Sequence, residues 1–264
     1  MSFIHQSINV NDSGPHYAKP AMILLHGFFM DSRMFKHQVE KFKYNYRVIT
    51  IDLRGFGQTN WVHEPFSLYD YVDDVISVAD SLNIKDFILG GMSMGGYVAL
   101  RLALKHSDRV KALLLMDTQA DCDNPETVEL FKQLRDNWSN EMARAQIVDS
   151  LLPVIIGHDL DEVAFWRSVW MNYSVDSIKY PMNAMLERDE IDVSKITAPA
   201  LVLHGSEDHG IPITAGEKLY HSLPNSYFVL VPQGNHASIM INHEYCNDSI
   251  VAFLRNVKSR CREV

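Results

Sequence analysis

Cysteine is scarce. The chain has three in 264 residues, Cys122, Cys246 and Cys261, an odd number with no metal-type spacing. That excludes a disulfide framework and suits a reducing, cytoplasmic compartment. Long apolar runs are missing too. The most apolar stretch, residues 21–30, is broken by His26 and Gly27 and is far too short to cross a bilayer. Residues 1–6 show no basic segment leading into an apolar one, so no secretory signal is read there. Basic charge is in deficit, with 24 Lys and Arg against 33 Asp and Glu, a formal net charge of -9, and no basic block. Neither nucleic acid nor an anionic membrane is therefore expected as a partner. Internal repeats and low-complexity tracts are absent. What remains, 47% hydrophobic and 22% charged, is the composition of a soluble globular protein of a size for one large α/β core.

The chain is organised around residues 87–97. An apolar run, Phe87-Ile88-Leu89, stops at Gly90 and Gly91, and a lone Ser93 stands between two methionines. Gly95 and Gly96 then open a helical run. The pattern G-x-S-x-G, from Gly91 to Gly95, has a mechanical reason. Where a buried strand turns sharply into a helix, the corner serine takes a strained backbone with its hydroxyl exposed. Side chains two residues either side would collide where strand and helix cross, so glycine is needed. The corner also lies at a helix N-terminus, whose unpaired N–H groups favour developing negative charge.

Around that stretch, short apolar strands alternate with amphipathic helices. Residues 4–10 read as an edge strand and residues 11–15 as a turn. Residues 21–25 form a continuous apolar strand of the kind buried in a parallel sheet. Asp31 or Ser32 can cap a helix carrying Phe35, Val39 and Phe42. Residues 47–51 are the next strand, and Ser67 can cap a helix with Leu68, Val72, Val75, Ile76 and Ala79 on its apolar face. Further strands are read at residues 110–116, 200–204 and 227–231, with a closing helix bearing Ile250, Val251 and Leu254. Between residues 121 and 193 the rhythm changes to helical faces alone, such as Val128, Phe131, Leu134 and Trp138, or Val163, Trp166, Val169 and Trp170. The expectation is a core of residues 1–120 and 194–264, with a helical cap inserted over 121–193.

Ligands of an open parallel sheet bind at the carboxyl ends of its strands. A serine there is a poor nucleophile without a neighbouring base, which needs an orienting carboxylate. His236, in Gly234-Asn235-His236, follows the last strand. Two aspartates follow strands at the same edge, Asp208 in Gly205-Ser206-Glu207-Asp208 and Asp117 after Met116.

These pieces resemble the α/β-hydrolase superfamily over essentially the whole length. They are His26-Gly27-Phe28, Asp52-Leu53-Arg54-Gly55-Phe56-Gly57, the Ser93 elbow, the Asp208 turn with Pro212, and the His236 loop. The elbow and Asp117-Thr118-Gln119-Ala120 are most similar to small bacterial carboxylesterases and 3-oxoadipate enol-lactonase-like hydrolases. The resemblance implies an α/β-hydrolase fold, a mostly parallel sheet flanked by helices with an inserted helical cap. It also implies Ser93 as nucleophile, His236 as base and Asp208 as its orienter, with Asp117 the competing acid. Backbone N–H groups of Phe28 and Met94 would form the oxyanion hole. It further implies hydrolysis of a small ester or lactone without a cofactor. Alternatives are an enol-lactonase or carbon–carbon bond hydrolase, or a hydrolase-like receptor with negligible turnover.

Other residues read more plainly. His26 is structural and Arg54 holds its loop. His204, Glu207, Asp208 and His209 are too close in sequence to converge as metal ligands. Phe29, Trp138 and Trp166 are the candidate substrate contacts. Met142, Met171, Met182 and Met185 suggest an apolar, adaptable roof.

Overall fold

The computed structural model describes residues 8–18, 20–59 and 62–260. Its centre is a seven-stranded sheet in the order β1-β3-β2-β4-β5-β6-β7. The strands are β1 (Val10–Ser13), β2 (Ala21–Leu25), β3 (Val48–Ile51), β4 (Phe87–Met92), β5 (Val110–Met116), β6 (Ala200–Gly205) and β7 (Ser226–Val231). Strands β2 to β7 pair in parallel, and β1 runs antiparallel along β3. Every residue of β2, β3, β4 and β6 is buried, as expected of strands covered by helices on both faces.

One strand differs from its expectation. Residues 4–7 lie outside the described residues, and the edge strand covers Val10–Ser13, so Asn11, Asp12 and Ser13 are strand rather than turn. An edge strand tolerates polar residues on its open side. Here Asp12 is also held by Arg47, whose Nη2 donates to Asp12 Oδ2 at 2.7 Å. The chain reverses only at Gly14, with φ +95°.

Helices α1 (Lys36–Phe42), α2 (Leu68–Ser81) and α3 (Met94–Lys105) alternate with the early strands. Asp31 caps a 3-10 turn leading into α1, accepting from Arg33 N–H. At α2 the Ser67 and Asp70 side chains form a reciprocal capping box. Between β5 and β6 stand four helices, α4 (Pro125–Asn137), α5 (Glu141–Ile155), α6 (Leu160–Met171) and α7 (Val175–Leu186). Each begins at a short polar residue, Asn124, Asn140, Asp159 or Ser174, whose side chain accepts a backbone N–H of the first turn. They pack through Trp138, Trp166, Trp170, Ile178 and Met182, all buried. Helix α8 (Ile213–Ser222) joins β6 to β7, and α9 (Ser238–Ile241) and α10 (His243–Arg260) close the chain. Among the described residues no helix is long and apolar enough to cross a membrane.

The strand order places the site. After β2 the chain builds β3 on one side, then returns to add β4 on the other. Chain direction across the sheet therefore reverses between β2 and β4, where the loops beyond the strands diverge and leave a crevice. The loop after β2 carries Phe28 and Phe29, and the loop after β4 is Ser93.

Candidate active site

Strand β4 ends at Met92 and α3 begins at Met94, leaving Ser93 alone at the corner. Its backbone has φ 51° and ψ -116°, a sparsely populated conformation that costs on the order of 1–3 kcal/mol. Crossing geometry imposes it. A Cβ on Gly91 would collide with the Gly95 carbonyl, and one on Gly95 with the Leu25 carbonyl. The corner is held by Ser93 N–H donating to Met116 O at 3.0 Å and by Thr118 Oγ1 donating to Ser93 O at 2.8 Å. Phe29, Asp117 and Gln233, with φ of 68°, 46° and 55°, put similar strain into neighbouring loops at this edge.

The three edge loops bring Ser93, His236 and Asp208 into one line. Ser93 Oγ lies 3.0 Å from His236 Nε2, and His236 Nδ1 lies 2.9 and 3.0 Å from the two Asp208 oxygens. Asp208 Oδ1 also accepts the N–H groups of Gly210 and Ile211 at 2.8 and 2.9 Å. Ser93, Asp208 and His236 are 9%, 7% and 8% exposed, so water barely screens the set. Burial alone would raise the Asp208 pKa, but the charge and hydrogen bond of His236 outweigh it and hold the carboxylate below its ordinary value. Burial likewise works against the His236 imidazolium, and Asp208 reverses the sign, raising its pKa above 6.5.

Asp117 sits close by but has another task. Its Oδ1 accepts Gly205 N–H at 2.8 Å, and its Oδ2 lies 2.7 Å from Ser238 Oγ and 3.2 Å from Ser238 N. It thus joins the end of β5 to the loop of Asp208 and to the segment after His236. Full burial, and then the neighbouring Asp208 charge, push its pKa up to about 8. Its oxygens are committed to Gly205 and Ser238 and none bonds His236, which is the geometry of a brace.

The metal-type reading of residues 204–209 finds little geometry. His204 is buried, while Glu207 and His209 are exposed. His204 does come within 4.8 Å of Asp117 and Asp208, but its Nε2–H donates to Ile211 O at 2.9 Å and both carboxylates are engaged as above. His26 is bound on both sides, Nδ1–H to Gly27 O at 2.8 Å and Nε2 accepting Leu53 N–H at 2.9 Å. Arg54 forms a two-pronged ion pair with Asp74 at 2.6 and 2.7 Å. Both match their structural reading.

A cavity of about 120 Å³ opens between Ser93 and helices α4, α5 and α7. Phe28, Phe29, Phe131, Leu134, Met182 and Met185 give it an apolar wall, with Tyr97, Asp123 and Thr127 as polar members. The N–H groups of Phe28 and Met94 follow, respectively, the His-Gly turn and Ser93 itself, and neither meets an acceptor among the described residues. Trp138 and Trp166 do not reach the cavity. Trp138 stands behind Phe29, ring centroids 5.3 Å apart, with Nε1 donating to Tyr173 O at 3.1 Å. Trp166 is turned toward Glu162 and Arg33. Each large ring is used to pack helix on helix. Of the methionines, Met182 and Met185 line the cavity, but Met142 is 77% exposed and roofs nothing. Asp123, Tyr97 and Thr127 were not read from the sequence as cavity residues. Asp123 has its partner Arg188 far along the chain, and no spacing signals that pair.

A buried serine–histidine–carboxylate line at a strained strand-to-helix corner, on a parallel sheet, is the arrangement of a hydrolase-type site. The chain belongs to the alpha/beta hydrolase fold family, whose pattern matches residues 20–243. It is similar to an AB hydrolase superfamily protein of Bacillus subtilis, 27% identical over 94% of this chain and 96% of that one. It is also similar to 3-oxoadipate enol-lactonase 1 of Acinetobacter baylyi, 27% identical over 96% of this chain and 94% of that one. Among solved structures, a thermophilic esterase from Thermogutta terrifontis superposes with a TM-score of 0.87 at 28% identity, covering 95% of this chain and 93% of that one.

Proposed function

We propose that this protein is a serine carboxylesterase acting on small esters through an acyl-enzyme on Ser93. The observation that carries the reading is the continuous hydrogen-bonded line Ser93 Oγ, His236 Nε2, His236 Nδ1, Asp208. His236 takes the Ser93 proton as Oγ bonds to the ester carbonyl carbon. The carbonyl oxygen becomes an oxyanion, met by the N–H groups of Phe28 and Met94. When the carbon–oxygen bond to the alcohol breaks, His236 gives that proton to the departing alkoxide. A water then loses a proton to His236, attacks the acyl carbon and releases the acid, and the proton returns to Ser93. Asp208 stays ionised throughout, holding the imidazole in its Nδ1–H tautomer and stabilising the transient imidazolium.

The cavity supports a small acyl group. Its volume of about 120 Å³ is well below the roughly 300–1,000 Å³ typical of pockets for drug-sized ligands. A panel of p-nitrophenyl esters and simple lactones of graded size tests the reading. Turnover highest on short acyl chains supports it. Best activity on lactones, or on long-chain triglyceride emulsions, overturns it.

A further inference from the structure

The cavity wall is apolar except at one place. Asp123, in the segment leading into α4, lines the cavity with its side chain only 6% exposed. Its Oδ2 accepts from Arg188 Nη1 at 2.7 Å and its Oδ1 from Gln119 Nε2 at 2.9 Å. Arg188 lies behind this wall, 1% exposed, with its guanidinium 4.4 Å over the Tyr97 ring. Its other bonds go to the carbonyls of Met185 and Asp121 at 2.8 Å.

A carboxylate can accept about four hydrogen bonds, and Asp123 receives one on each oxygen from protein donors. It can accept more and has none to give. The arginine charge is answered by Asp123, and the cavity lining contains no lysine or arginine. A second carboxylate brought to this wall would face Asp123 with no lysine or arginine of the lining to meet it, at a cost that burial magnifies. A hydroxyl brought to the same point gains an acceptor, and a methyl leaves that acceptor capacity unused.

We propose that Asp123 sets substrate choice, selecting acyl groups that carry an uncharged hydrogen-bond donor such as a hydroxyl and rejecting acyl groups that carry a carboxylate. This rests on the esterase reading above. The acyl group stays bonded to Ser93 through both half-reactions, so the cavity between Ser93 and the inserted helices is its place. Asp123 acts there on specificity and takes no part in the chemistry.

The test compares kcat/KM for three methyl esters of similar size: methyl 3-hydroxybutanoate, its isostere methyl 3-methylbutanoate, and monomethyl succinate. The wild-type protein is expected to favour the hydroxy ester over its isostere by about tenfold or more, with the succinate half-ester last. In Asp123→Asn the hydroxy preference shrinks. The unanswered Arg188 charge raises the succinate half-ester relative to the isostere by about tenfold or more. If that variant does not fold, the wild-type order still decides. Equal rates on all three esters, or a succinate half-ester that ranks first, overturn the inference while leaving the esterase reading standing. Absence of hydrolysis of any ester, together with no acylation of Ser93, overturns the esterase reading and this inference with it.

Discussion

Ala237 N–H donates to the carbonyl of Ile155 at 2.9 Å. This joins the residue after His236 to the last turn of α5, so the inserted helices fix the backbone that carries the histidine. On the other side of His236, Asn235 Nδ2 approaches Pro153 O at 3.4 Å. Gly157, with φ +87°, packs where any Cβ would strike the Asn235 amide. The histidine loop is thus gripped from both flanks by one helix end.

Gly157→Val should therefore disturb His236 more than it disturbs binding. The expected result is a fall in kcat of about tenfold with KM nearly unchanged, since transition-state contacts are lost while the cavity persists. Steady-state kinetics on one short ester, with a circular dichroism check of folding, measure it.

The two aspartates should separate cleanly. Asp208→Asn holds the imidazole in the wrong tautomer and should lower kcat by about 10⁴-fold. Asp117 instead braces Gly205 and Ser238 and makes no bond to His236. Asp117→Asn keeps the shape of the brace and an acceptor oxygen for Gly205 N–H, and kcat should stay within about tenfold of wild type. Kinetics of the two variants on the same ester give the comparison.

The pH profile follows from the sign at His236. The base must be neutral, and its pKa is raised by Asp208 against the effect of burial. The acid limb of kcat/KM should therefore fall above about pH 6.5. In Asp208→Asn the main influences that raise the His236 pKa are gone, leaving the smaller one of Asp117 against burial, so the residual activity should show its limb at lower pH. For stability the pair acts within a window. The Asp208 contribution is present above its unfolded pKa and is lost as pH falls through the lowered folded value. The His236 contribution is full below about pH 6.5 and is lost as pH rises through its raised folded value. Denaturant titrations across that range measure the second effect.

Cavity size should be adjustable at Met185, whose flexible side chain forms part of the wall. Met185→Ala is expected to move the acyl optimum to longer chains, while costing about 2–5 kcal/mol of stability. Rates across a p-nitrophenyl ester series and a urea titration report the two effects.

Much of this was legible in the sequence, for physical reasons. Strands buried on both faces, such as residues 21–25 and 87–89, must be continuously apolar. A strand-to-helix crossing as tight as that at Gly91 and Gly95 leaves no room for side chains. A parallel sheet flanked by helices, with a tight strand-to-helix corner, is legible from such local demands, and the resemblance of the motifs named the α/β-hydrolase fold. Helices between β5 and β6 were legible too, from apolar faces such as Val128, Phe131 and Leu134. What was hidden is long-range. Nothing in the apolar spacing distinguishes Trp138, which packs behind Phe29, from Phe131, which faces the cavity. Asp123 and Arg188 are partners only after folding, and Asn235 gains meaning only beside Gly157. The extension of the edge strand through Asn11 and Asp12 was hidden because both carry turn chemistry, and only the β3 ladder and Arg47 make them strand.

The central claim is that Ser93 alone is activated by His236 and carries the acyl group. The direct measurement is mass spectrometry of the protein after treatment with a fluorophosphonate, read alongside ester turnover. The account predicts one adduct, on Ser93, with activity lost in proportion, and a Ser93→Ala variant that folds, takes no label and loses about 10⁶-fold in kcat. A label on any other serine, or undiminished ester turnover by Ser93→Ala, would contradict it.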